Sequence, residues 1–217
     1  MKKLCIFDFD GTLAETMENI AYYVNKTMEH FSLGKIDTET VKGYVGKGAR
    51  NLIEQSLGYH GSNLSTDEVL KVYLNYYNSN PTYLVEVYDG IYELIKVLKE
   101  KGTEIAVLSN KPDSSVKMMV NYFFSEETFC YCMGKSEQFK VKPDPEAPNY
   151  IAKDYDKKDC FFIGDSDVDI QTARNSGMKS IAVTWGFRTK EFLLRHNPDF
   201  VVNSPDEILP IVLGDKI

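Results

Sequence analysis

The feature that most constrains this chain is a set of short apolar runs that end abruptly in polar clusters. Residues 4–7, 105–108, 161–163, 181–183 and 200–202 are rich in β-branched or aromatic side chains and read as buried strands. Helical patterns lie between them. The clearest is Ile91, Leu94, Ile95 and Leu98, whose spacing sets one apolar face ahead of Gly102 as a stop. Strands alternating with helices predict an α/β fold built on a parallel sheet. At the end of the chain, Ser204-Pro205-Asp206-Glu207 offers an N-cap, a proline at the first helical position and a capping-box glutamate, which predicts a final helix from there.

One stretch breaks the alternation. From residue 15 to 83 no strand pattern stands out, only helical patterns separated by Gly34, Gly43, Gly46, Gly48, Gly58 and Gly61. Ile20, Val24, Met28 and Phe31 fit one helix face, and Val69, Val72, Tyr73 and Tyr76 fit another, introduced by the capping box Ser65-Thr66-Asp67-Glu68. The expectation is a helical insertion over 15–83 in a core made of 1–14 and 84–217. A chain of 217 residues exceeds one domain of about 150, and such an insertion accounts for the excess.

Charge and hydropathy exclude several partners. The 32 acidic residues outnumber the 25 basic ones, giving a net charge of −7, the wrong sign for a phosphate-backbone footprint, so no nucleic-acid partner is expected. No apolar run approaches the roughly 18 residues of a membrane span, and the first residues lack a signal-peptide core. A cytoplasmic protein, monomeric or homodimeric, is expected. Cys5, Cys130, Cys132 and Cys160 read as buried thiols, because the 130/132 pair lacks the second ligand pair of a zinc site.

Three strand runs are followed at once by Asp8-Phe9-Asp10-Gly11-Thr12, by Ser109-Asn110-Lys111, and by Gly164-Asp165-Ser166-Asp167-Val168-Asp169. A polar turn would explain any one of them. Three at the same strand edge, where ligands bind in open α/β sheets, point to one shared site. Asp8 and Asp10 are two apart, so an extended segment directs both carboxylates to one side. Two carboxylates in one site repel unless one is protonated or a cation intervenes. Asp165 and Asp169 supply further carboxylates, and oxygen ligands without a nearby histidine favour Mg²⁺ over zinc. A carboxylate so held can attack phosphorus and form an aspartyl-phosphate, while the second, kept protonated, gives its proton to the leaving oxygen. The phosphoryl oxygens need donors as well: the Ser109 hydroxyl, backbone amides around Gly11 and Asn110, and a lysine, either Lys140 or Lys142, from Lys140-Val141-Lys142-Pro143-Asp144-Pro145.

These residues also carry a resemblance. Asp8-Phe9-Asp10-Gly11-Thr12 resembles the first motif of the haloacid-dehalogenase-like phosphatase superfamily, and Val107-Leu108-Ser109-Asn110-Lys111, Lys142-Pro143-Asp144-Pro145 and Gly164-Asp165-Ser166-Asp167-Val168-Asp169-Ile170 resemble the other three in order. The segments 173–178 and 183–188 are similar to the phosphoglycolate phosphatase branch. The resemblance implies a Rossmann-like core with a helical cap and a phosphoric monoester hydrolase. It assigns Asp8 as nucleophile and Mg²⁺ ligand, and Asp10 as general acid and base whose backbone carbonyl also binds the metal. Asp165 becomes a metal ligand, Asp169 a support of the metal shell, and Ser109 and Lys142 the holders of the phosphoryl group. The family places its lysine before a proline, which selects Lys142. Thr12 and Asn110, within the motifs, count as substrate-binding positions. Asp10 argues against a dehalogenase, which lacks that second aspartate.

The cap is expected to set the substrate by closing over the site. Val45-Gly46-Lys47-Gly48-Ala49-Arg50 places Lys47 and Arg50 where they could meet an anionic leaving group, although two solvated cations at a helix start read equally well. The expected substrate is a small phosphomonoester, with 2-phosphoglycolate as first candidate. Inorganic pyrophosphate hydrolysis, nucleotide dephosphorylation and β-phosphoglucomutase chemistry use the same motifs. A phosphoaspartate signalling receiver, the non-enzymatic alternative, needs little more than half this length and no large insertion after its first strand.

Overall fold

The computed structural model of the protein describes residues 2–214. In chain order it runs β1 (Leu4–Phe7), β2 (Ala14–Glu15), α1 (Met17–His30), α2 (Thr38–Lys42), α3 (Ala49–Tyr59), α4 (Thr66–Ser79), β3 (Glu86–Val87), α5 (Ile91–Glu100) and β4 (Glu104–Pro112). It continues through α6 (Asp113–Phe123), β5 (Tyr131–Lys135), α7 (Glu146–Ile151), β6 (Cys160–Gly164), α8 (Asp167–Ser176), β7 (Lys179–Val183), α9 (Lys190–Arg195), β8 (Phe200–Val202) and α10 (Ile208–Leu213). Six strands form a parallel sheet in the order β5-β4-β1-β6-β7-β8. The order reverses at β1, so the crevice beyond the C-terminal ends of β1, β4 and β6 is the expected ligand position.

The central strands are buried on both faces, which is why they read as continuous apolar runs without alternation. Cys5, Phe7, Val107 and Ile163 face α5 and α6, while Leu4, Ile6, Ala106 and Phe162 pack against α7 and Met178. β5 went unanticipated. It is an edge strand whose residues are half-buried or exposed, so no apolar run marks it. Its Gly134 sits so close to α6 that a Cβ there would stand 2.5 Å from Asp113 Cα.

Helices α1–α4 lie between β2 and β3 and bury their own cluster of Ile20, Val24, Met28, Leu52, Ile53, Val69, Tyr73 and Tyr77, distinct from the two that flank the sheet. The buried stripe of α4 is Val69, Tyr73 and Tyr77, a regular spacing of four, with Val72 and Tyr76 only half-buried beside it. The expectation of no strand from residue 15 onward is corrected at its first residue. Ala14–Glu15 pairs antiparallel with Glu86–Val87, and a strand of two residues carries no readable period. Two caps also differ from expectation. Ser65 precedes α4 without a side-chain cap bond, and Asp67 turns to Arg50 instead. After Ser204 comes a 3₁₀ turn, Pro205–Glu207, before α10, and Glu207 accepts from the Asn203 N–H at 2.9 Å. Cys5 and Cys160 are buried and Cys132 half-buried, but Cys130 is exposed. Among the described residues no helix is long and apolar enough to cross a membrane.

Candidate active site

The parallel ladder places the site. Phe7 is in register with Val107 on one side and Ile163 on the other, so Asp8 and Asp165 leave the ends of β1 and β6 beside Ser109, which lies inside β4 and not after it as the apolar run suggested. The chain then turns sharply at Gly11, whose φ of +73° suits glycine and whose missing side chain makes room for an acid. A Cβ at Gly11 would stand 2.4 Å from Asp165 Oδ2, and one at Gly164 would stand 2.2 Å from Asp169 Cγ. Both glycines are the space in which the carboxylates sit.

Carboxylate oxygens of Asp8, Asp165 and Asp169 lie within 4.8 Å of one another. Lys142 enters this group from the loop after β5 and donates to Asp8 Oδ1 at 2.9 Å and to Asp169 Oδ1 at 2.7 Å. Lys140, the other candidate, is exposed and lies 3.8 Å from Asp144, so the structure places only Lys142 in the site. Asp169 is held further by Ser166, whose backbone N–H donates to Oδ2 at 3.1 Å, in a capping box that starts α8. Asp165 Oδ2 accepts from the Phe187 N–H at 2.6 Å.

Burial dominates the electrostatics. It pushes the Asp8 carboxyl up to about 7, against the pull of Lys142 and with the charges of Asp169 and Asp10 adding to the rise. Asp165 is raised well above the ordinary carboxylate range, first by burial and then by Asp169 and Asp8. Burial opposes the Lys142 charge, yet Asp169 and Asp8 hold its ammonium above the ordinary lysine value. Three clustered carboxylates with one ammonium leave an excess of negative charge in a buried pocket. A hard divalent cation with oxygen ligands fits that donor set.

Asp10 stands apart from the carboxylate group. Its Oδ1 accepts from Thr16 Oγ1 at 2.7 Å and from Lys111 Nζ at 2.7 Å. The Asn110 amide is fully committed: it donates to Gly46 O and Lys142 O, both at 3.0 Å, and accepts from the Lys142 N–H at 2.7 Å. It thus ties the loop between α2 and α3 to the backbone of the site lysine. Thr12 is fully buried, its hydroxyl has no partner, and it does not line the cavity.

The cavity itself lies between the strand ends and the α1–α4 helices, lined by Asp8, Asp10, Ser109 and Asp165 below and by Ile20, Leu52 and Tyr77 above. Lys47 and Arg50, expected at this wall, are not among its lining residues. Arg50 pairs instead with Asp67 and, at 3.8 Å, with Glu54 on the outer surface of the insertion. The reason is helical geometry: Arg50 lies in the first turn of α3, where Leu52 and Ile53 take the inward face. The cations that do line the cavity are Lys111 and Arg188. Lys111 belonged to the Ser109-Asn110-Lys111 cluster, and its place directly after two candidates was the available signal. Arg188 donates to Lys42 O at 2.9 Å and Val45 O at 3.0 Å, contacts no local sequence pattern announces.

A doubly wound parallel sheet with clustered aspartates at its topological switch and a helical insertion after its first strand defines a class of hydrolases, and comparison with known proteins agrees. The family model for haloacid dehalogenase-like hydrolases matches residues 5–183. The phosphoglycolate phosphatase of Haemophilus influenzae is 30% identical over 97% of this chain and 98% of its own length. A crystal structure of a predicted phosphoglycolate phosphatase from Haemophilus somnus superposes with a TM-score of 0.90 at 25% identity, covering 97% of each chain. The β-phosphoglucomutase of Clostridium difficile, at 20% identity and a TM-score of 0.76, covering 96% of this chain and 93% of its own, shares the fold. The chain therefore belongs to the haloacid dehalogenase-like hydrolase family. Within it, the chain falls in the phosphoglycolate phosphatase-like branch, among the phosphoric monoester hydrolases.

Proposed function

We propose that the protein is a cytoplasmic, Mg²⁺-dependent phosphatase that hydrolyses a small phosphomonoester, with 2-phosphoglycolate as first candidate, through an aspartyl-phosphate on Asp8. The observation that carries this reading is the close approach of Asp8, Asp165 and Asp169 with Lys142 set between two of them. Mg²⁺, held by Asp8, Asp165 and the Asp10 backbone carbonyl, would neutralise the clustered acids and offset charge on the phosphoryl oxygens. The Asp8 carboxylate attacks phosphorus, the ester P–O bond breaks, and the leaving oxygen takes a proton from Asp10. Water, giving its proton to Asp10, then attacks the same phosphorus and releases Asp8 and inorganic phosphate.

Other groups hold this geometry. Ser109 and Lys142 bind phosphoryl oxygens, and Asp169, with its oxygens on Lys142 and Ser166, keeps the lysine aimed at Asp8. Helices α1–α4 act as the cap that excludes bulk water. The test is kcat/KM for 2-phosphoglycolate, pyrophosphate, nucleoside monophosphates and hexose phosphates with and without Mg²⁺. Metal-dependent phosphate release greatest for the small carboxylate ester is expected; comparable turnover in chelator, or isomerised hexose phosphate as the product, would overturn the reading.

A further inference from the structure

Residues 184–188, between β7 and α9, touch three parts of the site at once. Trp185 Nε1 donates to Thr12 O at 3.1 Å, in the turn that follows Asp10. Gly186 is packed so tightly that a Cβ there would stand 2.2 Å from Gly11 O and 2.4 Å from Asp165 Cβ. The Phe187 N–H, next in line, is the donor on Asp165 Oδ2 at 2.6 Å. The segment then crosses to the insertion. The Phe187 ring is buried in the apolar cluster of α1–α4, and Arg188 donates from its two terminal nitrogens to Lys42 O and Val45 O, carbonyls at the end of α2 and in the turn after it.

Such a chain of contacts carries position from the insertion to a carboxylate. A carboxylate that is free to turn must lose that freedom when it takes a cation, and the loss weakens binding. At Asp165 the turning is restrained in advance by a backbone N–H, which holds only as firmly as its own segment is held. Trp185 and Gly186 hold the segment on the core; Phe187 and Arg188 hold it on the insertion. Arg188 suits that task, because a planar fork reaches two carbonyls at once where an ammonium would not. Resting on the reading of Asp165 as a Mg²⁺ ligand, we propose that Arg188 is a positioning residue for the metal site: by seating residues 184–188 on the insertion it keeps the Phe187 amide on Asp165, so that docking through this segment and metal affinity are coupled. The coupling is reciprocal, and a bound cation favours the docked segment by the same factor.

Two other roles for Arg188 make different predictions. Its charge opposes a cation at Asp165, so by charge alone its loss would tighten metal binding. It also lines the cavity, and a residue that only met substrate would be silent when metal binds alone. The test is therefore Mn²⁺ affinity of the full-length protein without substrate, read from the electron paramagnetic resonance signal of the free ion; Mn²⁺ takes the same oxygen ligands as Mg²⁺. Groups that hydrogen-bond to a metal's ligands change affinity by about 10–100-fold, so Arg188→Met, one contact further out, should weaken Mn²⁺ binding by about tenfold. Arg188→Lys, which keeps the charge and loses the fork, should weaken it by about threefold and carries the test if Arg188→Met does not fold. Ser115→Ala removes a different contact between the halves, the hydroxyl's bond to Asn78 Oδ1 at 2.9 Å, and should leave the affinity unchanged. Unchanged or tighter binding in Arg188→Met, or unchanged binding in Arg188→Lys where only that variant folds, overturns the proposal; it is what a residue serving only stability or only substrate contact would give. An equal loss in Ser115→Ala also overturns it, because the effect would then follow from loosening the insertion as a whole. Asp165→Asn separates this proposal from the reading beneath it. It should weaken Mn²⁺ binding more than either Arg188 variant, and an affinity that it leaves unmoved would remove Asp165 as a ligand and the positioning role with it.

Discussion

The strand ends and the helical insertion face each other across one cavity but hold their side chains by different means. On the sheet side, Asp8 and Asp165 follow β1 and β6, and Ser109 lies in β4 two residues past Val107, the partner of Phe7, so their relative heights are set by the ladder itself. On the insertion side, Ile20, Leu52 and Tyr77 come from three helices that pack on one another and meet the core through a few polar contacts. Among these are Asn110 with Gly46, Lys111 with Tyr77, Ser115 with Asn78, and Arg188 with Lys42 and Val45, and Phe187 from the core joins the insertion's apolar cluster. Register fixes the groups that react, whereas docking fixes the wall that chooses what reacts. Two adjacent residues, Asn110 and Lys111, join the halves: the first ties the insertion to the Lys142 backbone, the second ties it to Asp10.

Substitutions on the sheet side should therefore be the most severe. Asp8→Asn removes the proposed nucleophile while preserving shape, and turnover of every ester should fall by about 10³-fold or more. Steady-state phosphate release checks this, and near-normal kcat would dissolve the contrast between the two sides. Lys142→Met comes next. It leaves Asp8 and Asp169 without their shared ammonium in a buried pocket, a loss of about 3–5 kcal/mol. For a chain of this size that lowers Tm by roughly 10 °C. Thermal denaturation reads the effect, and saturating Mg²⁺ should recover part of it. Melting alongside the wild type would mean that the pocket does not depend on the pair.

How legible each side was in the sequence follows from the same distinction. Asp8, Asp10, Ser109, Asp165 and Asp169 declared themselves because each follows an apolar run within a few residues, and a strand end is a local event. The choice of Lys142 over Lys140 was not local: spacing left both open, and only the family pattern preferred the residue that lies between two carboxylates. The insertion was legible as helices but not as a wall. Tyr77 continues an apolar stripe, and nothing in that stripe says that its hydroxyl meets Lys111. Arg50 shows the converse, since a cation three residues after Lys47 looks like an anion site until α3 is packed and Arg50 turns to Asp67 and Glu54 at the surface.

Removing or adding the metal probes the sheet side more gently. A carboxyl raised from 3.8 to about 7 by folding binds a proton that the unfolded chain has already lost, so between those values Asp8 makes the metal-free protein less stable as pH rises. Asp165 is shifted in the same direction. Mg²⁺ competes with that proton, because its ligands must be ionised. The rise in Tm on adding Mg²⁺ should therefore grow with pH and level off above about 7, by a few degrees in all. Paired melts in Mg²⁺ and in chelator across this range measure it; a metal effect independent of pH would place the cation away from Asp8.

The smallest effect is expected at the two cations that the sequence offered for substrate binding. Lys47 and Arg50 both belong to the insertion, but Arg50 is spent on Asp67 and Glu54 at the surface, and neither residue lines the cavity. Exposed pairs of this kind contribute little, because solvent screens them and long side chains lose entropy in forming them. Lys47→Ala and Arg50→Ala should leave Tm unchanged and alter KM for 2-phosphoglycolate by less than about twofold. Measured beside Asp8→Asn, they separate a group that lines the cavity from charges on the outer face of the insertion. A tenfold rise in KM at Lys47 or Arg50 would show that the insertion engages substrate in a second docking arrangement, one that turns these side chains inward, and would place the site of selection on that loop.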